Sequence, residues 1–386
     1  MQALLNAMLQ DSSIREMAGQ FKKKQGQAFV YGLAGTQKHS AFAACYLQNT
    51  AVIITSGSQE LSGWREDLQS LLPDTEVVEL PVLDMAEFNA AAKGLHRLAR
   101  RMEVLGRLLK GDRLVVLATV EAAMQKGISP DAYRELSLVL EPGMAFGREK
   151  LLQQLVKLGY ERSDQVEMAG DFSVRGGIVD VFPLNSPHPC RIEFFDDEID
   201  SIRSFHIVTQ LSVEKLDIVE ILPFGGVAEK QRKSCFTDFL PADGTVIIDE
   251  PLKAREESIK LLKENPDIRS RMFNWEELSK QVEGRNVILL ALMLHNLHNA
   301  ALDRIISVKV NGVTSYQKQM DMVVSDAQDW LSAGNGMLIT LGDMIKSASL
   351  KELFGRHRLA AVETNPEEPV KPGRINLVQG ALLNGF

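Results

Sequence analysis

Between residues 28 and 125 short apolar, β-branched runs alternate with amphipathic stretches, and this alternation restricts the fold more than any other feature. Strands are expected at 29–31, 51–55, 76–80 and 114–117. Between the last two, the stretch 89–109 sets Ala92, Leu95, Leu98, Ala99, Met102, Leu105 and Leu109 at helical spacing, with Arg97, Arg100, Arg101 and Arg107 elsewhere on the cylinder as a wet face. Strands that take turns with helices pair in parallel, because a parallel pair needs a long crossover connection. The expected class is therefore α/β.

After residue 142 the texture changes. A helix is expected at 148–158, then strands at 165–168, 171–175, 178–182, 190–195 and 199–207. Gly176-Gly177 and Asn185-Ser186-Pro187 punctuate them as turns. This reads as a small α+β domain inserted at 130–220. Beyond it a strand at 245–249, a helix at 254–263 and an apolar run at 286–292 return the chain to the first sheet, so the first domain covers 1–129 and 221–310. A further α/β unit, 311–386, is expected from a helix at 319–331, a strand at 337–341, a helix at 346–354 and a strand at 359–362. Its last residues, up to Phe386, read as the middle of a domain, so the chain is expected to be a truncated piece.

Three folded units suit 386 residues. The net charge of -8 argues against a surface built to neutralise nucleic-acid phosphates. Cys45, Cys190 and Cys235 lie far apart, which indicates neither a disulfide framework nor a cysteine zinc site and suits a cytoplasmic protein. His295 and His298 lack a third ligand, so no metal is expected. The longest apolar run, 287–294, is too short to span a bilayer.

Directly after the first strand comes Gly32-Leu33-Ala34-Gly35-Thr36-Gln37-Lys38-His39-Ser40, where a nucleotide-binding fold carries its phosphate loop. Gln37 stands where glycine would let backbone N–H groups turn toward phosphates. His39 stands where a hydroxyl would hold Mg²⁺. Only Lys38 keeps its type, so the loop Gly32, Gly35, Gln37, Lys38, His39 reads as degenerate, with no nucleotide cofactor and no catalytic residue expected in this chain. Asp249-Glu250 ends a strand as a magnesium-binding pair would, but without the loop it reads as a cap for the helix after Pro251. An active ATPase remains the rival reading.

The most specific stretch is Gly170-Asp171-Phe172-Ser173-Val174-Arg175-Gly176-Gly177-Ile178-Val179-Asp180-Val181-Phe182-Pro183, with Arg191-Ile192-Glu193-Phe194-Phe195-Asp196-Asp197-Glu198-Ile199-Asp200-Ser201-Ile202-Arg203 after it. It resembles the UvrA-binding domain shared by the excision-repair protein UvrB and the bacterial transcription-repair coupling factors (Mfd). Thr209-Gln210 makes the coupling factors the closer match. The resemblance implies a UvrB-like α/β domain with a degenerate nucleotide site, carrying an inserted UvrA-binding domain. It also implies that RNA polymerase and DNA are engaged through later domains, including an ATP- and Mg-dependent translocase motor.

By the same resemblance, Arg175, Arg191 and Phe195 match the residues that contact UvrA. Alternation along 190–195 puts Arg191, Glu193 and Phe195 on one face and Ile192 and Phe194 on the other. An exposed aromatic near arginines suits a binding hot spot, and a guanidinium grips a carboxylate through two parallel bonds. The bland alternative is that Arg175 and Arg191 pair with Asp180, Glu193 or Asp196 and that Phe195 is core. On the binding reading, Arg191→Ala or Phe195→Ala weakens UvrA binding with the melt nearly unchanged. A UvrB-type damage-binding fragment would carry an intact phosphate loop and a tyrosine-rich hairpin, whereas 81–93 holds Phe88 and no tyrosine.

Overall fold

Seven strands form one sheet, in the order Arg304–Ser307, Gly26–Tyr31, Asn286–Ala291, Thr245–Asp249, Ala51–Thr55, Val115–Thr119 and Val77–Glu79. Every neighbouring pair is parallel. The structure, a computed structural model, describes residues 1–83, 92–223, 233–295, 302–310, 316, 319–365 and 367–382. The central strands are apolar along their whole length because both faces are covered. Their two-residue alternation splits them between two cores: Val52, Ile54, Val116, Val246 and Leu289 face one side, and Ile53, Val115, Ile247 and Ile288 the other.

Helix Ala92–Lys110 packs on the first side through Met102 and Leu105, with Ala254 of helix Pro251–Glu264 and Leu278 of helix Trp275–Gln281. On the second side lie helices Thr36–Cys45 and Ser58–Leu71, whose Phe42, Trp64 and Leu68 are fully buried. Helices Gln2–Met8 and Ser12–Phe21, for which the sequence carried no expectation, close that layer through Leu5, Ile14, Met17 and Phe21. One arginine departs from its expected place. Arg101 is 4% exposed and donates to the carbonyls of Pro81 (2.9 Å) and Ala122 (3.0 Å), and burial lowers its pKa to about 10. Arg101 thus lies on the packed side of its helix, whereas Arg97 and Arg100 stay exposed.

The insert is built on a second sheet, ordered Ser212–Lys215, Glu198–Phe205, Cys190–Phe195, Ile178–Val181, Asp171–Arg175 and Glu161–Arg162. All its pairs are antiparallel except the last. The strand expected at 165–168 does not form. Instead the Asp171 carboxylate accepts the backbone N–H groups of Glu167 and Met168, both at 3.0 Å, and folds that stretch into a turn. Helix Arg148–Lys157 lays Leu151 and Leu155 against Phe172, Val179 and Ile192. Leu138–Leu140 on the way out and Val219–Ile221 on the way back pair as an antiparallel ribbon, Leu140 opposite Val219. The preceding helix, Pro130–Leu136, packs its Tyr133 in the core of the large sheet beside Phe239.

A third sheet follows, ordered Met337–Leu341, Ile375–Gln379 and Ala361–Glu363, all parallel. Its central strand was not expected. Helices Met320–Ser332 and Ser347–Arg356 contribute Val324, Ala327 and Phe354 to its core. No helix among the described residues is long and apolar enough to cross a membrane.

Candidate functional site

The strand Cys190–Phe195 buries Cys190 and Ile192, half-buries Arg191 and Glu193, and leaves Phe195 75% exposed at its end. A two-residue turn, Asp196-Asp197, follows, with Phe195 opposite Glu198 and Asp196 at φ +51°. Register then decides which side chains meet across the outer face. One row runs Ser173, Asp180, Arg191, Arg203, Lys215, and the next Arg175, Ile178, Glu193, Ser201. The opposite face carries Phe172, Val179, Val181, Ile192 and Ile202 into the core of the insert.

The three candidate residues stand in different situations. Phe195 presents its ring to water. Arg175 is exposed in front of the Gly176-Gly177 turn, with one bond to the Asp164 carbonyl at 3.3 Å. Gly176 has φ +59°, a left-handed conformation in which glycine is unstrained. Arg148, at the start of its helix, donates to the Gly176 carbonyl and holds this turn. Arg191 by contrast is engaged: Nε donates to Asp180 Oδ1 (2.7 Å), Nη2 to Asp180 Oδ2 (2.8 Å) and to Gln210 Oε1 (3.0 Å), and the guanidinium lies 4.6 Å from the Phe205 ring centre. The hydrogen bond to Asp180 raises the pKa of Arg191. Hence part of the bland alternative holds for Arg191, whereas Phe195 lies outside the core. Arg203, which donates to Glu193 (2.7 Å), and Gln210 were not singled out for a contact role. The two-residue turn by itself would set Ile202 opposite Arg191; a bulge between Ile199 and Ser201 shifts the register by one and brings Arg203 there, which the sequence pattern does not signal.

The stretch expected to be a degenerate phosphate loop, 32–40, is filled from within. Lys38, 5% exposed, sets its ammonium against Asp249 and 3.0 Å from Glu250 Oε1. Burial pulls its pKa down, but Asp249 and Glu250 outweigh that and leave it raised. Asp249 also accepts from the Trp64 indole N–H (2.8 Å), and Glu250 from the backbone N–H of Leu292 (3.0 Å). Glu250 occupies the N-cap position of the helix from Pro251, yet its side chain makes no capping bond, so the capping role expected of this acid pair gives way to binding Lys38. Gln37 accepts the Ala34 N–H at 3.0 Å, and His39 Nδ1 lies 2.6 Å from Asp67, which also accepts from Thr36 (2.8 Å). Gly32, at φ +99°, passes so close to strand Arg304–Ser307 that a Cβ would lie 2.0 Å from the Val308 carbonyl oxygen. At that position chain packing alone requires glycine. Gly35, φ +47°, precedes the helix as its N-cap.

Among the described residues no group of His, Cys, Asp and Glu is arranged to hold a metal ion. His298, and residues 84–91 of the stretch compared with a tyrosine-rich hairpin, lie outside the described residues, as do 383–386 at the end of the chain.

Residues 138–225 match the family model of the UvrB interaction domain. The chain is 23% identical over 436 residues to the transcription-repair-coupling factor of Bacillus subtilis, an alignment covering 93% of this chain and 37% of that protein. It is 29% identical over 221 residues to the transcription-repair-coupling factor of Staphylococcus epidermidis, covering 56% of this chain and 19% of that protein. With that of Staphylococcus aureus it shares 30% identity over 199 residues, 51% of this chain and 17% of the relative. The chain thus spans well under half the length of the curated relatives it matches.

Proposed function

We propose that this chain, a homologue of the UvrB-like N-terminal region of the transcription-repair coupling factors over most of its length, is a binding module whose insert recruits UvrA in nucleotide excision repair. One observation carries the reading: a phenylalanine 75% exposed at the end of a strand whose other residues are packed or paired, inside the stretch that matches the UvrB interaction domain. A solvated benzyl ring on a rigid strand is the usual anchor of a protein interface. Arg175, exposed and bonded through Nη2 to the Asp164 carbonyl at 3.3 Å, supplies the charged neighbour, and the docking face on UvrA is accordingly acidic there. RNA polymerase, DNA and an ATP- and Mg-dependent translocase motor belong, on this reading, to other parts of the full-length relatives, and the protein works in the cytoplasm.

We also propose that the first domain holds no nucleotide, because Lys38 is already neutralised by two acids that would otherwise serve the metal. The rival reading, an ATP-hydrolysing domain, requires that pair to open. Titration calorimetry with Mg-ATP is expected to give no heat, and saturable heat would restore the rival. The binding reading is tested by capturing purified UvrA on the immobilised chain. Retention by the wild type and loss with Phe195→Ala is the expected result, and equal retention by both removes Phe195 from the interface.

A further inference from the structure

The loop from His206 to Leu211 closes on itself: the His206 N–H donates to the Leu211 carbonyl (2.9 Å) and the Gln210 N–H to the His206 carbonyl (2.7 Å). Gln210 sits at φ +59°, and its side chain bridges outward from the loop. Its amide nitrogen donates to the Ile207 carbonyl (2.8 Å), and its Oε1 accepts from Arg191. Arg191 is fixed in turn on Asp180, whose side chain is only 5% exposed. A continuous chain of contacts, Asp180 to Arg191 to Gln210, therefore pins the loop to the outer face of the insert sheet.

Of the loop's exposed residues, His206, Val208, Thr209 and Leu211, two are aliphatic. Val208 is 82% exposed and Leu211 68%, and Val213 projects just beyond on the edge strand Ser212–Lys215. A turn needs polar or flexible residues, not aliphatic ones, and leaving such side chains in water is unfavourable. We propose that Val208 and Leu211 form an apolar contact for the same protein partner, UvrA, and that Arg191 is a positioning residue that sets this loop through Gln210. The proposal rests on the UvrA-binding reading above.

The loop lies within the stretch that matches the UvrB interaction domain and on the sheet face that ends in Phe195. Phe195 lies four positions after Arg191, roughly 13 Å along a strand, so the loop tip and the benzyl ring mark two ends of one surface. Apolar contacts flanked by charged groups at that scale suit a protein interface. Arg191 spends Nε and Nη2 on Asp180 and a further Nη2 bond on Gln210, so its side-on edge is taken and Nη1 is left outside this chain of contacts. The role assigned to it is to hold the loop in place.

The test measures affinity of the full chain for purified UvrA, alongside melting temperature, for the wild type, Phe195→Ala, Gln210→Ala, the double variant Val208→Ser with Leu211→Ser, and the triple combination. Removing the two aliphatic side chains is expected to weaken binding about tenfold with the melt unchanged. Gln210→Ala is expected to weaken binding alone and to add nothing to the double variant, since it acts through the same loop. Full affinity of the double variant, with Phe195→Ala still impaired, overturns the loop contact and leaves the UvrA reading standing. An additive loss in the triple variant overturns the positioning role. A wild-type chain that does not bind UvrA at all overturns both readings together.

Discussion

The Asp180 carboxylate sits in a setting nearly closed to water, where Arg191 meets it with two parallel bonds. Truncating that arginine strands a buried carboxylate, which costs about 2–3 kcal/mol when a charged hydrogen-bond partner is lost. Arg191→Ala is therefore expected to lower the melting temperature by several degrees, contrary to the nearly unchanged melt expected on the binding reading of the sequence. Phe195→Ala removes a ring already in water, so its stability should stay within about 0.5 kcal/mol of wild type. Scanning fluorimetry on the two variants separates these cases, and equal losses would mean that Phe195 carries packing absent from this arrangement. The alternation of 190–195 was legible because its period is two. The identity of Arg191's partner was not, because it depends on the register of a neighbouring strand, and one residue of slip exchanges every partner.

Helix Thr36–Cys45 is tied to the end of strand Thr245–Asp249 by the ammonium of Lys38 lodged between Asp249 and Glu250. Lys38→Met leaves both acids without their cation and is expected to cost about 3–5 kcal/mol in chemical denaturation. The raised pKa also fixes a sign. Stability from this lysine is fully present below its ordinary value of 10.5 and is lost as pH rises through the higher folded value. Denaturation at increasing alkalinity should therefore show a steeper fall for wild type than for the double variant Lys38→Met with Asp249→Leu. Identical slopes would show that the pair does not couple to folding. The central strands were readable because a sheet covered on both faces demands unbroken apolar runs, as at Ala51–Thr55 and Asn286–Ala291. Strand Ile375–Gln379 escaped because Asn376 interrupts it, although that amide is fully buried and donates to the carbonyls of Met337, Lys371 and Arg374. Ser212–Lys215 escaped because an edge strand exposed at every residue carries no alternation.

The division of labour among the three sheets follows from their connections. Among the described residues, strands Glu161–Arg162 through Ser212–Lys215 pair with one another, apart from a single bridge between Glu198 and Ala145, and the chain enters and leaves them side by side at the ribbon Leu138–Leu140 with Val219–Ile221. Because Leu140 and Val219 are already neighbours, replacing 141–218 by a short glycine linker closes a small loop at little entropic cost. The shortened chain is expected to keep the cooperative unfolding of the seven-stranded sheet, with Ala99, which packs against the insert, newly exposed. Collapse of that transition in circular dichroism would mean that the insert is needed to fold the rest. The paired neck has a mechanical consequence as well. A tug on the insert pulls both strands of the ribbon along their length in the same sense, so their cross-links carry no shear and the load divides between two covalent tethers, each anchored in the body beside the large sheet.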